Sequence, residues 1–135
     1  SGRSLAADPL EPPAAQAAAA AAAASPGTPR SARIKQLVAQ LAKRRDDPRV
    51  ALALARAHAR EGDHRGAYAV LRYALDWAKA ADVRAAMLLE LGHAADKLGL
   101  AEAARRAYEG AAATKGAVAA SAQRAKRALL ARFGY

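Results

Sequence analysis

The chain contains no cysteine. That excludes disulfides and thiolate metal sites, and it leaves the redox compartment open. Aromatic residues make up only 4% of the sequence, and there are one isoleucine, five valines and two threonines. Strands draw on β-branched and aromatic side chains, which pack well on a pleated, half-buried surface. Their scarcity argues against a sheet protein. Apart from alanine, which is barely apolar enough to count, no stretch reaches the roughly 18 apolar residues needed to cross a membrane as a helix. The chain opens on Ser1 rather than methionine. The expectation is therefore a soluble piece of a larger protein, cytoplasmic by default, with the compartment left open.

What the sequence does have is alanine, roughly a third of all residues, far above ordinary usage. Ala, Leu, Arg and Lys are the residues that form helices most readily. An all-α protein follows, and 135 residues are enough for one domain with its own core.

The net charge is +10, and its placement says more than its size. In residues 1–30, Arg3 and Arg30 balance Asp8 and Glu11. Between 46 and 109 the basic and acidic side chains also cancel. The excess sits at two ends: Arg33, Lys35, Lys43, Arg44 and Arg45 on one side, and Lys115, Arg124, Lys126, Arg127 and Arg132 on the other.

Residues 1–30 read as a disordered Ala/Pro-rich tail or linker. "DPLEPP" and "SPGTP" resist regular structure, because proline removes a backbone donor and restricts its neighbour. The alanine run over 14–24 is too short for a stable isolated helix. From Ser31 the pattern changes. Ile34, Leu37, Val38 and Leu41 fall on one helical stripe. This predicts a first helix over 31–45, with Ser31 as N-cap. Further helices are predicted over 48–60, 64–79, 82–98, 101–115 and 117–132. Gly62, Gly99 and Gly116 end three of them, and Pro48 suits a first helical turn. Short loops make neighbours antiparallel.

The chain also repeats itself. "LALARAHAREGDHRGAYAVLRYAL" lies over "LLELGHAADKLGLAEAARRAYEGAA" when Gly62 is set on Gly99, 37 residues apart. Leu54 then meets Leu91, Ala55 meets Gly92, His58 meets Ala95, Ala67 meets Ala104, Leu71 meets Tyr108, and Ala74 meets Ala111. Antiparallel helices approach closely where one offers Gly or Ala and the other fills the notch with a large side chain. Gly92, Ala104 and Ala111 read as notches, and Tyr108 as a knob.

Leu91, Gly92, Leu98, Gly99, Ala104, Tyr108 and Ala111 resemble the tetratricopeptide repeat (TPR), a helical hairpin of about 34 residues with small residues at fixed places and an aromatic knob. The likeness covers roughly residues 48–115. The first unit departs from the pattern, with Ala51 where tryptophan is usual and His58 where tyrosine is common. The usual proline at the end of each unit is missing, near Lys79 and Gly116. The resemblance implies a right-handed TPR-like α-solenoid of about six helices. Repeat one would span 48–79 and repeat two 82–115. Capping helices over 31–45 and 117–132 would cover the open ends of the 31–135 domain.

No catalytic constellation is present: no phosphate-binding glycine loop, no metal-ligand spacing and no nucleophile with a base. His58, His64 and His93 lie on different helices; His58 reads as a packing residue with one hydrogen bond, His64 as a turn residue, and His93 as surface. The expectation is a non-catalytic scaffold or adaptor module without cofactor or metal. By the resemblance, the first helix of each hairpin lines a concave groove. That groove would present Arg49, Leu52, Arg56 and Arg60, then Leu89, Glu90, His93 and Lys97. Such a basic groove would take an acidic protein or peptide segment. The family's clamp for terminal carboxylates is not expected, because Leu52 and Arg56 stand at its positions. Plain solvated surface is the competing reading of these arginines. A second functional class is a basic module that binds nucleic acid or an anionic membrane. It would use Lys43, Arg44, Arg45, Arg124, Lys126, Arg127 and Arg132, and its binding would be driven by phosphate charge. Oligomeric state stays open.

Overall fold

The structure, a computed structural model, describes residues 29–133, with side chains from Ala32 onward. These residues form six helices and no strand: α1 (Pro29–Lys43), α2 (Pro48–Arg60), α3 (His64–Leu75), α4 (Ala81–Lys97), α5 (Ala101–Ala112) and α6 (Ala117–Arg132). The all-α class and the order of helices agree with the sequence. No helix among the described residues is long and apolar enough to cross a membrane.

Several ends differ from expectation. α1 starts at Pro29, so Ser31 lies inside the helix and is not its N-cap. A proline in the first turn gives up no helical hydrogen bond and brings a preset φ. The rest of the expected tail, residues 1–28, lies outside the described residues. α3 stops at Leu75 rather than Lys79: the backbone tightens into a turn, with Trp77 N–H on the Ala74 carbonyl at 3.2 Å, and the Leu75 carbonyl accepts a 2.6 Å hydrogen bond from Arg84 Nη1 on α4. A side chain from the next helix thus satisfies one of the carbonyls that a helix end leaves open. Trp77 falls in the turn that follows, half-buried, with its ring edge-on to Tyr73 at 5.8 Å. α5 ends at Ala112 rather than 115, where Thr114 Oγ1 donates to the Ala111 carbonyl at 2.6 Å.

Aspartates cap the starts of α2 and α3. Asp47 accepts from the Arg49 N–H at 3.0 Å, ahead of Pro48. Asp63 accepts from the Gly66 N–H at 2.9 Å. Each cap supplies an acceptor for a backbone donor that the helix itself cannot satisfy.

The turns 37 residues apart share one geometry. Gly62 has φ 80° and Gly99 φ 77°, a left-handed conformation that suits glycine because it lacks Cβ. The Gly62 N–H bonds to the Ala59 carbonyl at 3.0 Å, and the Gly99 N–H to the Asp96 carbonyl at 3.0 Å. One residue later, Asp63 N–H reaches His58 and Leu100 N–H reaches Ala95, both at 2.8 Å. The two turns that align in the sequence thus share one backbone geometry.

Each helix packs on its chain neighbours, and α4 also touches α2 and α6. No comparable contact joins α1 to α3 or α3 to α5. α2, α4 and α6 thus lie side by side, while the other helices are held chiefly by their neighbours in sequence. The main core joins Ile34, Leu37 and Leu41 of α1 to Leu54, Val70, Leu71 and Met87. A second cluster centres on Tyr108 with Ala95, Ala104 and Leu129, and Tyr68 packs against both clusters.

Tyr108 fills the notch at Gly92. A Cβ added to Gly92 would lie 2.5 Å from Tyr108 Cδ1 and 3.0 Å from Cζ. The matching small residue on α5, Ala104, is fully buried. Ala104→Leu is expected to overpack this hairpin and cost about 1–3 kcal/mol. Urea denaturation would detect the change, and a neutral result would remove the notch at Ala104.

Candidate partner-binding groove

α2 and α4 approach each other across the top of α3 and leave a cleft of about 230 Å³ between them. Its floor is apolar: Ala55 and Ala59 from α2, Ala67 and Leu71 from α3, and Ala94 from α4. Its rim carries His64, Glu90, His93 and Lys97. The cleft exists because most of its floor residues stop at Cβ. Residues 90, 93, 94 and 97 share one helical face by their spacing of three and four.

The eight groove residues expected from sequence divide in the structure. Glu90, His93 and Lys97 come together on the cleft. Arg56 joins them through its Nε, 3.5 Å from Glu90 Oε2, which ties α2 to α4. Arg49 and Arg60 are exposed at the two ends of α2. Leu52 is only 8% exposed and belongs to the main core with Ile34, Leu37 and Leu41. Leu89 packs against the Tyr108 cluster. The floor alanines were missed as groove residues. Their signal was the spacing of Ala55 and Ala59 on one face of α2, but alanine serves helix propensity and close packing equally well.

The rim is anchored to the fold beneath it. The exposed His93 ring stands edge-on to Tyr108, with centroids 5.6 Å apart and planes at 66°. Burial pushes the Tyr108 hydroxyl up to about 12, the Asp96 and Glu90 carboxylates add to the rise, and Arg132 opposes it. Tyr108 is therefore neutral at ordinary pH, and its ring acts as a packing element under the rim.

His58 lies at the end of α2 and is fully buried. Its Nδ1 sits 3.5 Å from Asp63 Oδ2, the same side chain that caps α3. Neither ring nitrogen has a hydrogen-bond partner. The expected single hydrogen bond is thus absent: Asp63 caps α3 through Oδ1, and its Oδ2 stays 3.5 Å from the imidazole, at ion-pair rather than hydrogen-bond geometry. Burial holds the imidazole below its ordinary pKa, and the Asp63 charge offsets this only in part. His64 opens α3 beside the cleft. No group of three or more His, Cys, Asp or Glu among the described residues could hold a metal.

The seven basic residues of the end helices also divide. Lys43, Arg44 and Arg45 are exposed at the end of α1. Gln40, Lys43, Arg44 and Val50 line another cleft, of about 260 Å³, there. On α6, Lys126 is paired with Glu109 at 2.9 Å and Arg132 with Asp96 at 2.5 Å. The Lys126 ammonium, then Arg105, holds the Glu109 carboxyl below the usual carboxylate range. Arg124 Nη2 meets Ser121 Oγ at 3.2 Å, and Arg127 is exposed. Two of the four α6 cations therefore fasten α6 to α4 and α5.

Comparison with protein-family models, with curated proteins and with solved structures gives no match for this chain.

Proposed function

We propose that the chain is a non-catalytic, TPR-like interaction module that captures an acidic segment of a partner protein between α2 and α4. The right-handed solenoid reading is supported by the shared turn geometry 37 residues apart. The Gly92–Tyr108 notch and the lateral row of α2, α4 and α6 support it as well. In such a stack the row that touches laterally is the inner, concave one. One observation carries the functional reading: the α2–α4 cleft combines an apolar floor with Lys97, which forms no ion pair among the described residues. Concave apolar sites with a few polar groups are where proteins bind ligands.

The ion pair of Arg56 with Glu90 gives the test its sign. Glu90 neutralises Arg56 and places a carboxylate beside the cleft. Glu90→Gln removes that charge and frees the guanidinium, so binding of an acidic peptide is expected to tighten several-fold. Lys97→Glu is expected to weaken it by roughly tenfold, the scale of reversing an exposed charge at a rim. Fluorescence anisotropy with a labelled pentaglutamate peptide at low salt reads both changes. Equal affinity of all three proteins would sink the groove assignment.

The second reading, a polyanion site, keeps one specific observation in its favour. Lys43, Arg44 and Arg45 are clustered, exposed and outside any ion pair among the described residues. Binding of random duplex DNA or anionic vesicles at physiological salt, with a steep salt slope, would favour it over the groove.

A further inference from the structure

The α2–α4 cleft is more selective than a strip of positive charge. Its volume of about 230 Å³ exceeds the roughly 150 Å³ apolar cavity that holds a benzene ring. It is therefore large enough for one bulky side chain. Ala55, Ala59, Ala67 and Ala94 line the space without entering it, and Leu71 closes the floor. No polar side chain lies on that floor to reward a polar guest. At the mouth the charges are unequal. Glu90 is engaged by Arg56 at 3.5 Å, whereas Lys97 has no ion-pair partner among the described residues. A carboxylate arriving at the mouth meets an unspent ammonium at one end and an already neutralised pair at the other.

From this arrangement we infer that the cleft is an anchor pocket. It receives one large apolar side chain, of leucine size or greater, from a partner segment whose neighbouring carboxylate pairs with Lys97. This inference rests on the groove reading and narrows it: the partner is an acidic segment interrupted by a single bulky apolar residue. Charge attracts the segment, and the pocket fixes its register. The apolar anchor in a desolvated pocket carries most of the selectivity, as buried anchors do at protein interfaces generally.

The test uses the full chain and three labelled peptides: Glu-Glu-Leu-Glu-Glu, Glu-Glu-Ala-Glu-Glu and Lys-Lys-Leu-Lys-Lys. Anisotropy titration of the unaltered protein is expected to show the leucine peptide binding about tenfold more tightly than the alanine peptide, the scale set by burying a leucine side chain. The lysine peptide should not bind. Ala59→Leu fills the pocket from a half-buried position, and it should erase the leucine preference, bringing the two acidic peptides to equal affinity. Lys97→Glu should weaken both acidic peptides and keep their ratio. Circular dichroism confirms that each variant is folded, and the peptide comparison on the unaltered chain stands even if Ala59→Leu is not. Equal binding of the leucine and alanine peptides would overturn the anchor pocket and leave the groove standing. Binding of neither acidic peptide would overturn both.

Discussion

Tyr108→Ala is expected to lower stability by about 3–5 kcal/mol, the usual cost of truncating a fully buried aromatic. Tyr108 is 1% exposed and sits at the centre of the second core cluster. For a domain near this size each kcal/mol shifts the melting temperature by about 4–8 °C. A fall on the order of 15 °C or more should therefore be seen by thermal denaturation. The informative part is the partner position. In an open helix, Gly→Ala stabilises by about 1 kcal/mol, because glycine loses more backbone freedom on folding. At Gly92 the added methyl would run into the Tyr108 ring, at 2.5 Å from Cδ1. That ring is enclosed and cannot swing away. Gly92→Ala is therefore expected to destabilise by about 1–3 kcal/mol, the range for overpacking a core. In the Tyr108→Ala background the same change should become neutral or stabilising. A coupling energy above about 1 kcal/mol in this double-mutant cycle would establish the notch and knob. Stabilisation by Gly92→Ala in the unaltered chain would refute it.

The second large effect is a dependence of stability on pH, set by His58. Its ordinary pKa is 6.5, and burial lowers it in the folded chain despite the opposing charge of Asp63. Above pH 6.5 the imidazole is mostly neutral in both the folded and the unfolded chain. As pH falls below 6.5, the unfolded chain takes up a proton that the folded chain refuses. The unfolded state then binds more protons, so stability falls as pH falls. The loss continues until the lower, folded pKa is passed. Within that window the slope approaches about 1.4 kcal/mol per pH unit. The Glu102 and Glu109 carboxylates, both held low by cationic partners, act in a separate window. Their pKa values are depressed, so their contribution is present above the ordinary 4.5 and is lost only below it. Urea denaturation between pH 7.5 and 5.0 should show the slope, and His58→Leu should remove it. An unchanged slope in that variant would refute the assignment to His58.

Much of the fold was legible because its signals are local. The stripe of Ile34, Leu37 and Leu41 marked the buried face of α1, and all three are in the core. Gly62 and Gly99 announced two turns of identical geometry. What the sequence hid was decided by residues distant in the chain. At the end of α3, Arg84 reaches back to the Leu75 carbonyl. The basic end of the chain looked unopposed, yet Lys126 and Arg132 find Glu109 and Asp96 on earlier helices. The candidate site was half legible. Glu90, His93 and Lys97 line one cleft, since helix spacing alone fixes their shared face. Leu52 was misplaced because a repeat alignment says nothing of α1, whose apolar stripe joins Leu52 in one core. The floor alanines stayed invisible because a residue that creates space by its smallness looks like one that permits packing.

The most direct test of the groove is where an acidic ligand lands. Backbone amide shifts of the full chain should be followed while the pentaglutamate peptide is added. The groove reading predicts changes concentrated at Ala55, Ala59, Glu90, His93, Ala94 and Lys97, the two sides of the α2–α4 cleft. Changes concentrated at Lys43, Arg44 and Arg45 with Arg124 and Arg127, and none at the cleft, would contradict it and move the binding surface to the end helices.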